Sequence, residues 1–218
     1  MMTLYFISGL GADKRAFIKL ALPKDWTIKH IEWIENLKDE SLSDYCRRLS
    51  SQIDYAQSFS LIGLSFGGIV AVEMAKFLTP ARVVIISSIS TAEQLPIDFF
   101  GNILIKKLKL YKLIPSSFFK QVNTLTYWLF GTKTKDEKDL LRQIINDTPP
   151  EFAKWAIGEI LTWNNIIKPK KLLHLHGAAD RIFPVKNTSA DIIINNGGHF
   201  MIYSNADEIS KILTENLG

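Results

Sequence analysis

The chain has 218 residues, 47% of them hydrophobic and 22% charged, with a formal net charge of +4. That length suits one sizeable domain rather than two, and the composition excludes intrinsic disorder and fibrous repeats. So mild a positive charge, with no aromatic-flanked basic motif, does not point to nucleic acid.

Thr3 to Ser8 (TLYFIS) is a short apolar run closed by Gly9-Leu10-Gly11, which predicts a buried strand entering a tight loop. The run is far shorter than the roughly 18 residues of a membrane span and lacks a basic start, so no leader is expected. Asp13 to Leu22 has helical spacing and stops at Pro23, and Trp26 to Ile34 alternates like a second strand. Ser41 or Ser43 can cap a helix with Leu42, Tyr45, Leu49 and Ile53 on its apolar face. Within it, Cys46 is the chain's single cysteine, so no internal disulfide forms and a reducing, cytoplasmic setting is expected. Phe59 to Leu64 predicts a buried strand, Gly67 to Leu78 a helix, and Arg82 to Ser87 another strand. Strands and helices alternating in this way specify an α/β fold with a mostly parallel, twisted sheet covered by helices on both faces.

From residue 90 to 168 helical spacing takes over, punctuated by Pro96, Pro115 and Pro149-Pro150. Aromatics are dense here: Phe99, Phe100, Phe118, Phe119, Tyr127, Trp128, Phe130, Phe152, Trp155 and Trp163. The strand pattern resumes at Lys171 to His176 and at Asp191 to Asn195, followed by a closing helix over Met201 to Leu217. The organisation expected is therefore a core of residues 1–89 and 169–218 with a helical insert, 90–168, acting as a lid. Most of the insert's aromatics should simply hold it to the sheet. The rest suggest an apolar acyl or alcohol group in the substrate. Lys106, Lys107, Lys109, Lys112 and Lys120 form a basic stretch that reads first as a solvated helix face and second as a contact for anionic substrates or membranes.

Gly63-Leu64-Ser65-Phe66-Gly67 matches G-x-S-x-G between a predicted strand and a predicted helix. Such a turn strains the serine, exposes its hydroxyl, and sets it at a helix N-terminus whose free N–H groups can hold an oxyanion. The motif and its context resemble the α/β-hydrolase superfamily, in which the nucleophile, the acid and the histidine follow one another along the chain.

On that resemblance Ser65 is the nucleophile. His199, in the Gly197-Gly198-His199 loop after the last strand, is its base. His176-Gly177-Ala178-Ala179-Asp180 resembles the family's H-G-x-x-D loop and makes Asp180 the triad acid, with Asp191 and Glu93 as rivals. His176 would support that loop, and His174, inside the strand, would be a core residue. Ser8-Gly9-Leu10-Gly11 resembles the family's oxyanion loop, so the backbone N–H groups of Leu10 and Phe66 would form the oxyanion hole; Ser8 stands where the family usually has histidine.

The resemblance spans the whole chain in trimmed form, without the family's leading hairpin. It implies a serine hydrolase of carboxylic esters or related acyl substrates that needs no metal and no organic cofactor. Thioesterase, lactonase, carbon–carbon bond hydrolase and a non-catalytic ligand-binding protein are the alternatives.

Overall fold

The computed structural model describes residues 2–96, 115 and 122–218. The strongest apolar runs become the strands β1 (Thr3–Ile7), β3 (Phe59–Leu64), β4 (Arg82–Ile86) and β5 (Leu172–Gly177), with β2 (Thr27–Ile31) and β6 (Ile192–Ile194) at the edges. All pair in parallel, in the order β2-β1-β3-β4-β5-β6. Burial on both faces explains why the inner strands read as continuous apolar runs rather than alternating ones.

Successive side chains nonetheless feed two separate cores. Tyr5, Ile7, Leu61, Val83 and Ile85 pack beneath α1 (Leu42–Leu49) and α2 (Phe66–Met74). Leu4, Phe6, Ile62, Leu64, Val84 and Ile86 face the other way, onto α6 (Met201–Ser204) and α7 (Ala206–Leu217). Between β4 and β5 the described residues form α3 (Thr124–Phe130), α4 (Lys135–Asp147) and α5 (Pro150–Thr162). The helix α5 is built into the first core through Phe152, Ala156 and Ile160, with Trp163 following it, so this part of the insert is structural. Trp128 is exposed, whereas Tyr127 and Phe130 are half-buried; Phe99, Phe100, Phe118, Phe119 and the five lysines of the basic stretch lie outside the described residues.

Three local differences from the sequence pattern stand out, and one open choice is settled. Asp13 to Leu22 yields only a 3₁₀ turn, Lys14–Phe17, in which the Asp13 carboxylate accepts the Arg15 N–H and Ile18 is left exposed. The strand β2 ends at Ile31 because side chains take over its hydrogen bonds: the Glu32 N–H donates to Gln52 and the Ile34 N–H to the Tyr45 hydroxyl. Of the two candidate caps for α1, Ser41 is the one used, accepting the Asp44 N–H at 3.2 Å. The closing helix is split at Asn205, where φ −119° and ψ 31° break the helical path.

The chain leaves β1 towards β2 on one side and returns to start β3 on the other. The crevice at the carboxyl ends of β1 and β3 is therefore the topological switch point, the usual ligand position in open α/β sheets.

Candidate active site

Ser65 occupies the first residue beyond β3, with φ 52° and ψ −118°. That backbone region costs a residue with a Cβ about 1–3 kcal/mol. Neighbouring chain holds it there: the Ser65 N–H donates to the Ile86 carbonyl at 2.9 Å, and the Ser65 carbonyl accepts the Ser88 hydroxyl at 2.6 Å. A methyl group on Gly63 would lie 2.3 Å from the Gly67 carbonyl oxygen, so the strand can turn this sharply into α2 only with glycine there.

The side chains predicted from sequence converge on this turn. His199 Nε2 lies 2.8 Å from Ser65 Oγ, and His199 Nδ1 lies 2.8 Å from Asp180 Oδ2. Asp180 is 4% exposed, and its other oxygen accepts the N–H groups of Ile182 at 2.8 Å and Phe183 at 2.9 Å. Burial alone would raise the Asp180 pKa; the nearby His199, hydrogen-bonded to it, outweighs that and holds the carboxyl below its ordinary value. Neither rival acid joins the group. Asp191 accepts the backbone N–H of His174 at the far end of the sheet, and Glu93 is exposed within the 3₁₀ turn Ala92–Gln94.

The two histidines of β5, His174 and His176, stand behind Asp180. His176 Nε2 is 2.7 Å from the Phe183 carbonyl oxygen, which can only accept, so that nitrogen carries a proton. The neutral ring then accepts at Nδ1 from His174 Nε2–H, at 3.1 Å. Burial lowers the pKa of both rings, His174 to about 3, so the pair stays uncharged in the folded protein.

The linkage has a definite sign. Between the unfolded histidine value of about 6.5 and the much lower folded one, the unfolded chain binds protons that the native chain refuses. Stability should be full above pH 6.5 and decline as pH falls through that window, whereas the contribution of Asp180 is lost only below pH 3.8, its ordinary value. Urea unfolding at pH 7, 6, 5 and 4 should show this decline. His174→Gln should flatten it by about one proton, or about 1.4 kcal/mol per pH unit. An unchanged slope would mean that His174 is not the refused site.

The Ser8–Gly11 loop borders Ser65: a methyl group on Gly9 would sit 3.6 Å from Ser65 Cβ. Ser8 donates its hydroxyl to the Ala12 carbonyl and so ties the loop to itself. Phe66 is the first residue of α2, so its N–H has no carbonyl a turn back to meet.

The sequence pattern gave no sign of the next contacts around the site. Phe130 and Phe183 set their rings edge-to-face against His199, at 5.4 and 5.6 Å between centroids. The Arg181 guanidinium donates to the Trp128 carbonyl at 2.8 Å, and the Phe200 N–H donates to the Phe130 carbonyl at 3.0 Å. The end of α3 thereby braces the acid loop and the histidine loop together. These contacts join segments distant in sequence, and no spacing rule anticipates them.

By sequence, no family model and no curated protein matches this chain. Its structure is similar to that of a thermophilic esterase from Thermogutta terrifontis, with TM-score 0.73, 14% identity, and coverage of 100% of this chain and 89% of the other. A lipase-esterase related protein from Clostridium acetobutylicum gives TM-score 0.71 at 16% identity over 98% and 93% of the two chains. MenH from S. aureus gives 0.69 at 18% identity over 100% and 95%. These likenesses establish the fold: the chain has the α/β-hydrolase fold.

Proposed function

Starting from that fold, we propose that the chain is a serine hydrolase that cleaves carboxylic esters through an acyl-enzyme. The observation that carries the reading is the unbroken relay from Ser65 Oγ through His199 to Asp180, with both links at 2.8 Å. A buried carboxylate, an imidazole and a strained serine in that geometry make an activated nucleophile.

In this reading His199 Nε2 takes the Ser65 proton as Oγ attacks the acyl carbon. Asp180 fixes the tautomer with the proton on Nδ1 and stabilises the imidazolium that forms. The N–H groups of Leu10 and Phe66 hold the oxyanion. His199 then returns the proton to the leaving alcohol and activates the water that releases the acid. None of these steps calls for a metal or an organic cofactor. The aromatic rings beside His199, those of Phe130 and Phe183, favour an acyl or alcohol group with an apolar portion. The structural neighbours named as esterases favour an ester over a thioester, a lactone or a carbon–carbon bond. A cytoplasmic setting belongs to the same proposal. Among the described residues no helix is long and apolar enough to cross a membrane.

The test is intact-mass spectrometry of the protein after incubation with a fluorophosphonate, followed by peptide mapping. One adduct, located on Ser65, is expected. No adduct on folded protein, together with no turnover of short- and long-chain esters, would instead indicate a binding protein built on the same scaffold.

A further inference from the structure

Trp33, just beyond the end of β2, touches both halves of the proposed oxyanion hole. Its indole N–H donates to the Gly9 carbonyl at 3.1 Å, and its ring stacks on Phe66 with centroids 5.5 Å apart and planes 25° from parallel. The Gly9 carbonyl belongs to the same peptide unit as the Leu10 N–H. In a trans peptide those two groups lie in one plane and point in opposite directions, and no peptide in the described chain is cis. Whatever grips the carbonyl therefore also aims the N–H. The Ala12 N–H donates to the same oxygen at 2.9 Å, so two donors load this one carbonyl. Hydrogen bonds to a carbonyl also polarise its peptide, making the opposite N–H a stronger donor.

We propose that Trp33 is a positioning residue for the oxyanion hole: its indole N–H sets the plane and polarity of the Gly9–Leu10 peptide, while its ring fixes Phe66. The inference rests on the esterase reading and extends it. In this role Trp33 acts through the Gly9–Leu10 peptide and Phe66, and the rate depends on it because a donor aimed in advance stabilises the oxyanion without reorganising. The surrounding packing supports the assignment. Trp33 lies against Tyr45 and Phe152, at 6.4 and 5.5 Å between centroids, so its ring is held on several sides.

Two variants separate the N–H from the ring. Trp33→Phe keeps an aromatic ring and removes the donor. Trp33→His puts a ring N–H at the position of the indole nitrogen and loses most of the stacking area. With purified full-length protein and a p-nitrophenyl ester, Trp33→Phe should lower kcat by about 10- to 100-fold at nearly unchanged KM. Its affinity for a trifluoromethyl ketone, which mimics the tetrahedral oxyanion, should weaken in parallel. Trp33→His should recover kcat to within a few-fold of wild type. A role in packing alone predicts the opposite ranking, with histidine worse than phenylalanine and both losses tracking Tm.

Full kcat in folded Trp33→Phe, or equal loss in both variants, would overturn the inference while leaving the esterase reading intact. If Trp33→Phe does not fold, Trp33→His decides alone: kcat near wild type supports the assignment, and a loss above tenfold overturns it. A wild type that neither turns over esters nor reacts with a fluorophosphonate would overturn the esterase reading, and this inference with it.

Discussion

Ser65→Ala is expected to lower kcat on any ester substrate by about four orders of magnitude or more, with folding unaffected. The side chain removed ends at one hydrogen bond, Oγ to His199 Nε2 at 2.8 Å. No part of either hydrophobic core rests on it. The backbone explains a second expectation at the same position. With φ 52°, Ser65 sits where a Cβ is unfavourable, and alanine inherits that strain whereas glycine does not. Ser65→Gly should therefore be as inactive as alanine and yet more stable than wild type, by about 1 kcal/mol. Stopped-flow or steady-state turnover and urea denaturation would report the two effects separately. A Ser65→Ala protein that turned over esters at an undiminished rate would remove the nucleophile assignment. A glycine variant no more stable than alanine would mean that the strained turn is relaxed in solution.

Gly67→Ala is expected to be the most damaging single methyl addition in the described chain. The added carbon would lie 2.2 Å from the Ile7 carbonyl oxygen and 2.3 Å from that of Ser8. Both are backbone atoms at the carboxyl end of the inner strand β1, so neither can rotate away as a side chain would. Relief requires the first turn of α2 to move off the sheet, and with it the Phe66 N–H and Ser65. A loss of about 3 kcal/mol or more is expected, a large share of the 5–15 kcal/mol that holds a typical domain together. Gly9→Ala provides the control: its methyl group would meet Ser65 Cβ at 3.6 Å, an ordinary contact. The urea midpoint of Gly9→Ala should stay near wild type while that of Gly67→Ala collapses. Equal midpoints for the two would show that the close approach of α2 to β1 is not rigid.

Both predictions turn on residues that the sequence reading had already singled out, and the reasons are local. G-x-S-x-G between an apolar strand and a helix carries its own geometry, because the glycines are needed wherever a chain turns so sharply. The order of strands and helices likewise implied a parallel sheet covered on both faces, since no other arrangement buries so many two-sided apolar strands. Ser65, Asp180 and His199 lie 115 and 19 residues apart in the chain, and the structure brings them together through two links of 2.8 Å. Asp191 falls at the start of a predicted strand, the wrong end of a parallel sheet, and the structure places it there, just before β6 and bonded to the His174 N–H; the choice over Glu93 leaned on resemblance.

What lay beyond the sequence is of another kind. The shortened strand β2 and the single turn at Lys14–Phe17 follow from side chains such as Gln52, Tyr45 and Asp13 capturing backbone groups, and the helix break at Asn205 from that residue's non-helical backbone. The grip of Trp33 on Gly9, of Ser88 on Ser65 and of Phe130 on His199 depends on which loops become neighbours at the carboxyl edge of the sheet. By itself the sequence determined the elements, the elbow and the chemical types available, because periodicity, glycine and proline act over a few residues. Only the tertiary structure decided which groups meet, because contacts between distant segments are set by strand order and packing and leave no repeating mark in the chain.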